Sequence, residues 1–119
     1  IVDDCAKFVE REIRRGRTYD AIIMDPPSYG RGPTGEVWKL EESLYPFVEL
    51  CSRVLSENPL FVIINSYTTG LAPSVLTYIL ETVVSRKYGG HTQSDEIGLP
   101  VTETGLVLPC GATGRWMGE

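Results

Sequence analysis

The sequence predicts an α/β fold: a parallel sheet flanked by helices, with an antiparallel hairpin at one edge. Two short apolar runs, residues 21–24 and 60–64, have the unbroken character of strands covered on both faces. The segments beside them place apolar residues at three- and four-residue spacing, which is the helical period. Helix, strand, helix, strand, helix is then the βαβ rhythm of a parallel sheet.

Taken in order, Cys5, Phe8, Val9 and Ile13 share one helical face, with charged residues between them. Asp3 or Asp4 can cap the start of this helix and Gly16 can end it. The strand over 19–25 follows, and Pro26 and Pro27 must stop it because proline cannot continue a central ladder. Residues 28–37 hold three glycines and a proline and read as a mobile loop. Leu44, Phe47, Val48, Cys51, Val54 and Leu55 predict a second helix. Its start is expected near Glu42 or Ser43, so that Pro46 falls in the first turn. The strand at 60–64 leads to Asn65, Ser66 and Tyr67. A third helix starts at Pro73 or Ser74 and buries Leu76, Ile79, Leu80, Val83 and Val84. After Gly89 and Gly90, two weaker strands near 91–96 and 105–108 form the edge hairpin, joined by a short Gly98, Leu99, Pro100 segment.

Composition narrows the class. Hydrophobic residues make up 42% and charged residues 23% of the 119, an ordinary globular balance. No apolar run is long enough to cross a bilayer, and no basic region precedes an apolar stretch at the start. The first residue is Ile rather than Met, so the chain is expected to begin inside a longer gene product. Three cysteines, Cys5, Cys51 and Cys110, form no CxxC pair, which argues against a zinc site or disulfide framework and fits a reducing cytoplasm. One histidine, His91, cannot build a metal centre, and it reads as a surface residue. The net charge of -5 weighs against a self-sufficient nucleic-acid binder, since neutralising phosphates takes clustered cations. The cations at Arg11, Arg14, Arg15, Arg17, Arg86 and Lys87 sit near predicted helix ends, where they complement the dipole. No internal repeat or domain boundary is visible.

Ligands of open α/β sheets bind beyond the carboxyl ends of the strands. Three places qualify: Asp3 and Asp4, the stretch Asp25, Pro26, Pro27, Ser28 and Tyr29, and the Asn65, Ser66, Tyr67 end. The second is the sharpest. Each proline lacks an N–H and fixes its own φ, so the turn offers carbonyl oxygens with few competing donors. Such a site suits an amino group on an aromatic ring, whose hydrogens Asp25 and the Pro26 carbonyl can accept as positive charge develops. Tyr29 is a candidate to stack on that ring, and Asn65 and Ser66 to line the substrate pocket. An isolated Asp-Pro-Pro often does no more than end a strand; here the strand before it, the glycine-rich stretch after it and the second polar strand end favour function. Asp4 with Cys5 can meet an adenine amino group, though this segment alone reads more readily as an ordinary N-cap. Cys110, placed just past the last strand, reads as a packed core thiol.

The runs DAIIMDPPSYGRG, WKLEESLYPFVELCSRVLS, FVIINSYTTGL and GLVLPCGATGRW make the sequence similar to bacterial class I methyltransferases that use S-adenosylmethionine (SAM), in the group that includes ribosomal RNA large-subunit methyltransferases. The resemblance covers nearly the whole chain. It implies the C-terminal part of a Rossmann-like sheet of seven strands, with residues 1–119 supplying strands four to seven and the tail of strand three. It implies SAM as cofactor, with Asp4, the Cys5 backbone and Asp25 on the cofactor side. Asp25, Pro26, Pro27 and Ser28 then match the motif beside the transferable methyl group. The glycine-rich turn and ribose-binding acid of the family have no counterpart here, so these residues alone are not expected to form a complete cofactor site or an active enzyme. Family members that methylate cytosine C5 carry a cysteine after strand five. Asn65, Ser66, Tyr67 and Thr68 stand there instead, which points to transfer onto nitrogen. The implied setting is rRNA processing, with RNA bound through domains upstream; a small-molecule or protein acceptor, or a non-catalytic α/β module that binds at the same sheet edge, are the alternative readings. The oligomeric state stays open, and the exposed strand edge makes dimerisation or aggregation a risk.

Overall fold

A computed structural model describes residues 1–119. Helix α1 (Cys5–Arg14) starts where expected: Asp4 is its N-cap, and the Asp4 carboxylate accepts the Lys7 N–H at 3.0 Å. Gly16, with φ 68°, follows the C-cap and turns the chain toward the sheet. No strand stub precedes α1; Ile1 and Val2 are fully exposed and unpaired.

The main sheet has four strands in the order β1 (Ala21–Met24), β4 (Phe61–Ser66), β6 (Val107–Met117), β5 (His91–Pro100). Strands β1 and β4 are parallel, pairing Ala21 with Phe61 and Met24 with Ile64. Strand β6 runs antiparallel to both β4 and β5, so the closing hairpin occupies one edge. The buried apolar side chains of this sheet, Met24, Val62, Ile64, Ala112 and Trp116, alternate onto one face. They pack there with Leu44, Val48, Leu76, Leu80 and Val84 of the helices. Within residues 1–119 only one face of these strands is covered. Ile23, on the opposite face of edge strand β1, is 67% exposed, because no second layer covers it.

Three further elements depart from the sequence expectation. Residues 28–37 are not a structureless loop: β2 (Tyr29–Arg31) and β3 (Val37–Lys39) form a small antiparallel hairpin. Its turn closes through the Gly32 N–H to the Glu36 carbonyl at 2.8 Å, and Gly35 supplies the positive φ of 88°. Helix α2 (Leu40–Ser52) begins earlier than Glu42, leaving Pro46 in its interior. Complete burial of Leu40 and its N–H bond to the Ser28 carbonyl set that start. Glu42 and Pro46 both face water, which can serve the carbonyl that the proline cannot bond.

Helix α3 (Pro73–Leu80) has proline at N1 as read, then passes through a π-turn over Glu81–Ser85 into the short α4 (Arg86–Tyr88). Gly89 and Gly90, with φ of 70° and 81°, reverse the chain into β5. The last two strands are much longer than 91–96 and 105–108. Gly98, Leu99 and Pro100 belong to β5 rather than to a connection. Glycines at 111 and 114 hid the strand signal of β6, yet they are what allows the close approach of its neighbours: a Cβ at Gly114 would lie 2.7 Å from the Leu76 Cβ. Cys110 lies inside β6 and is exposed, with its thiol 3.6 Å from the Ile97 carbonyl, so it is not a packed core residue.

Candidate active site

The carboxyl ends of β1 and β4 lie side by side, because the two strands are parallel neighbours. Immediately after β1, the Asp25 turn faces the start of α1 across an open cleft of about 690 Å³. Asp3, Asp4 and Cys5 line one side, Asp25, Pro26 and Pro27 another, and Phe8, Ile22 and Met24 the apolar floor. Trp38 and Phe47 also line it, their rings edge to face at 5.7 Å. The volume falls in the range of small-molecule and cofactor sites, about 300–1,000 Å³.

The two acids at the mouth differ. Asp3 is engaged by Arg11 at 2.6 Å and by the Asp4 N–H, and the Arg11 hydrogen bond holds its carboxyl below the usual range. Asp4 spends one oxygen on the helix cap and has the other free for a ligand, so capping and binding are compatible roles. Deeper in, burial pushes the Cys51 thiol up to about 12, with neighbouring Cys5 adding to the shift.

The Asp25 turn is held from several directions. The Trp38 indole N–H donates to the Pro27 carbonyl at 2.6 Å, the Leu40 N–H donates to the Ser28 carbonyl at 3.0 Å, and the Ser28 and Thr68 hydroxyls meet at 2.7 Å. The Pro26 carbonyl accepts no hydrogen bond from the chain, although Pro26 is buried. The Pro26 carbonyl is thus free, and it stands beside the exposed Asp25 carboxylate.

Of the residues singled out in the sequence, Asp4, Cys5, Asp25, Pro26 and Pro27 meet around this cleft. Ser28, Tyr29, Asn65 and Ser66 do not line it. Ser28 is turned to Thr68, and Ser66 is fully buried with its hydroxyl accepting the Thr68 N–H. Tyr29 is 53% exposed on β2, where its hydroxyl accepts from Arg31. The aromatic neighbour of Asp25 is Tyr67: burial raises its phenol pKa first, then the charge and hydrogen bonding of Asp25, then Cys110. Sequence reading missed Trp38, Phe47 and Thr68. Phe47 looked like an ordinary helix core position, and no local pattern signals a bond across 40 residues such as that from Ser28 to Thr68.

No family model and no curated protein matches the sequence. Solved structures do match. A SAM-dependent methyltransferase from Agrobacterium tumefaciens superposes with a TM-score of 0.85 at 32% identity, over 98% of this chain and 38% of that one. The fold is that of the C-terminal part of a SAM-dependent methyltransferase. SMU.776, whose structure is a complex with SAH, aligns over 98% of this chain and 30% of its own at a TM-score of 0.62 and 19% identity. The M1.HpyAVI–SAM complex aligns over all of this chain and 54% of its own at 0.58 and 12%. These last two show shared fold alone. The chain spans just over a third of the Agrobacterium protein's length, so the methyltransferase fold is covered only in part. No helix is long and apolar enough to cross a membrane.

Proposed function

We propose that residues 1–119 form the acceptor-side half of the active site of a SAM-dependent methyltransferase that modifies a nitrogen of an RNA base, as part of rRNA processing in the cytoplasm. One observation carries the reading: the cleft brings Asp4 and Cys5 to the same space as Asp25 and the unpaired Pro26 carbonyl. The likeness to the Agrobacterium methyltransferase supports the class.

The residues present fit one part of the cofactor. The free Asp4 oxygen and the Cys5 backbone would hold the adenine edge, and Phe8 and Met24 offer apolar surface to its ring. When bound, SAM supplies a methyl group activated by a positively charged sulfur. The chain's own contribution is to orient the acceptor. An amine on an aromatic ring is a weak nucleophile, because its lone pair is shared with the ring. Asp25 and the Pro26 carbonyl accept its two hydrogens, hold the lone pair toward the cleft and offset the charge that builds on nitrogen. Asp25 is then placed to receive the departing proton. Tyr67, whose phenol is coupled to Asp25, is the candidate to stack on the acceptor ring. With a net charge of -5, the chain leaves most phosphate contacts to residues outside 1–119.

The test is transfer of tritium from methyl-labelled SAM by the intact protein, with unmodified large-subunit rRNA transcribed in vitro as acceptor. Asp25→Ala is expected to lower turnover roughly a hundredfold or more while the melting temperature holds. Near-normal turnover removes Asp25 from the chemistry. Label entering protein or small molecules but not RNA overturns the acceptor and leaves the class standing.

A further inference from the structure

We infer that Thr68 and Trp38 are positioning residues that clamp the Asp25 turn from opposite sides and fix which of its carbonyls faces the acceptor. This rests on the function proposed above. The backbone of the turn has little freedom of its own: φ is locked at Pro26 and Pro27, and Pro27 also confines ψ of Pro26 to extended values. What remains open is rotation at Pro27 and Ser28, and the clamp acts there. The Trp38 indole N–H binds the Pro27 carbonyl at 2.6 Å, and the Thr68 hydroxyl binds the Ser28 hydroxyl at 2.7 Å.

Both anchors are themselves held. Trp38 stands on β3 with its ring against Phe47. Thr68 is tied by its N–H to Ser66, which is fully buried at the end of β4. The β2–β3 hairpin on one side and the β4 end on the other therefore meet through the turn. The clamp also selects. By occupying the Pro27 carbonyl, Trp38 withdraws one acceptor of the turn and leaves the Pro26 carbonyl open next to the Asp25 carboxylate. Geometry of this kind affects the reacting arrangement more than it affects cofactor affinity.

Thr68→Val removes one hydrogen bond and keeps the side-chain shape, and Trp38→Phe removes the other while leaving an aromatic ring against Phe47. In the intact protein, each is expected to lower kcat roughly three- to tenfold, in line with one hydrogen bond. In Thr68→Val, whose side chain does not line the cleft, SAH affinity and KM for SAM should stay within twofold, and Thr68→Ser should restore kcat. A readout independent of turnover is hydrogen exchange at the Trp38 indole, with the Trp116 indole, bonded to the Gly89 carbonyl at 2.7 Å, as internal reference. Thr68→Val should speed exchange at Trp38 several-fold and leave Trp116 unchanged. An unchanged kcat in both variants, or a loss of kcat matched by an equal loss of SAH affinity, overturns the inference. If one variant fails to fold, the other tests its own arm of the clamp alone. Absence of methyl transfer by the wild-type protein would instead count against the proposed function, and the exchange experiment still decides whether the clamp exists.

Discussion

Trp116→Phe is the substitution that tests the central packing argument most directly. Trp116 is completely buried on β6, between β4 and β5, with its ring 6.1 Å from that of Tyr88. Its indole N–H donates to the Gly89 carbonyl at 2.7 Å, which pins the α4–β5 turn onto the sheet. Phenylalanine keeps most of the ring contact but removes that donor. Leaving a partly buried carbonyl unpaired costs about 1–2 kcal/mol. The void left by the smaller ring adds about 1 kcal/mol. The sum is about 2–3 kcal/mol, or roughly 8–15 °C in melting temperature for a domain of this size. Thermal unfolding followed by far-UV circular dichroism measures it, with Leu99→Ala as control because Leu99 is 61% exposed. The control should move by no more than about 0.5 kcal/mol. A Trp116→Phe melting temperature within about 3 °C of the parent would mean that β6 is not the packed centre of the sheet.

Other outcomes follow from the same structure. Gly111→Ala should destabilise the chain by roughly 1–3 kcal/mol, since its Cβ would collide with the Ser66 carbonyl and force β6 off the end of β4; chemical denaturation reads it. With Ellman's reagent at pH 8, Cys5 and Cys110 should react in the native protein, while Cys51, buried and shifted to about 12, should react only on unfolding. In an ultraviolet titration, Tyr67 should ionise above its ordinary value of 10.0. Asp25→Asn should bring that midpoint down part of the way, with the burial contribution remaining. Because the folded-state value is raised, the Tyr67 contribution to stability is complete below about pH 10 and is lost as pH rises through the folded value. Asp3 behaves in the opposite sense. Its Arg11 bond lowers the folded value, so its contribution holds above the ordinary 3.8 and fades as pH falls below it; Asp3→Asn should flatten that part of the acid limb.

Much of the molecule was legible from local pattern. The spacing of Cys5, Phe8, Val9 and Ile13 located α1, and Asp4 and Gly16 marked its ends. Pro73 marked the start of α3, and Leu76, Ile79, Leu80 and Val84 are buried as the helical period required. The Asp25, Pro26, Pro27 turn was visible because a buried strand cannot continue through two prolines. These features depend on a few neighbouring residues and on backbone chemistry that any context preserves.

The tertiary structure decided the rest. Leu40 entered α2 because its burial and its bond to Ser28 outweighed the cost of Pro46 inside the helix. Residues 29–31 and 37–39 became strands because they pair with each other, a gain that glycine-rich composition concealed. Strand β6 extends through Gly111 and Gly114 because Ser66 and Leu76 approach too closely for any side chain there. The same holds for the site. Sequence alone named Asp4, Cys5, Asp25 and Pro26 as the candidate site residues. Only the parallel pairing of β1 with β4 and the packing of α1 against α2 determined that these residues share one cleft, that Tyr67 rather than Tyr29 stands beside Asp25, and that Trp38 occupies the Pro27 carbonyl. Identity and spacing are properties of the chain, whereas proximity across 20 or more residues is created by burial and sheet register, which no short window of sequence contains.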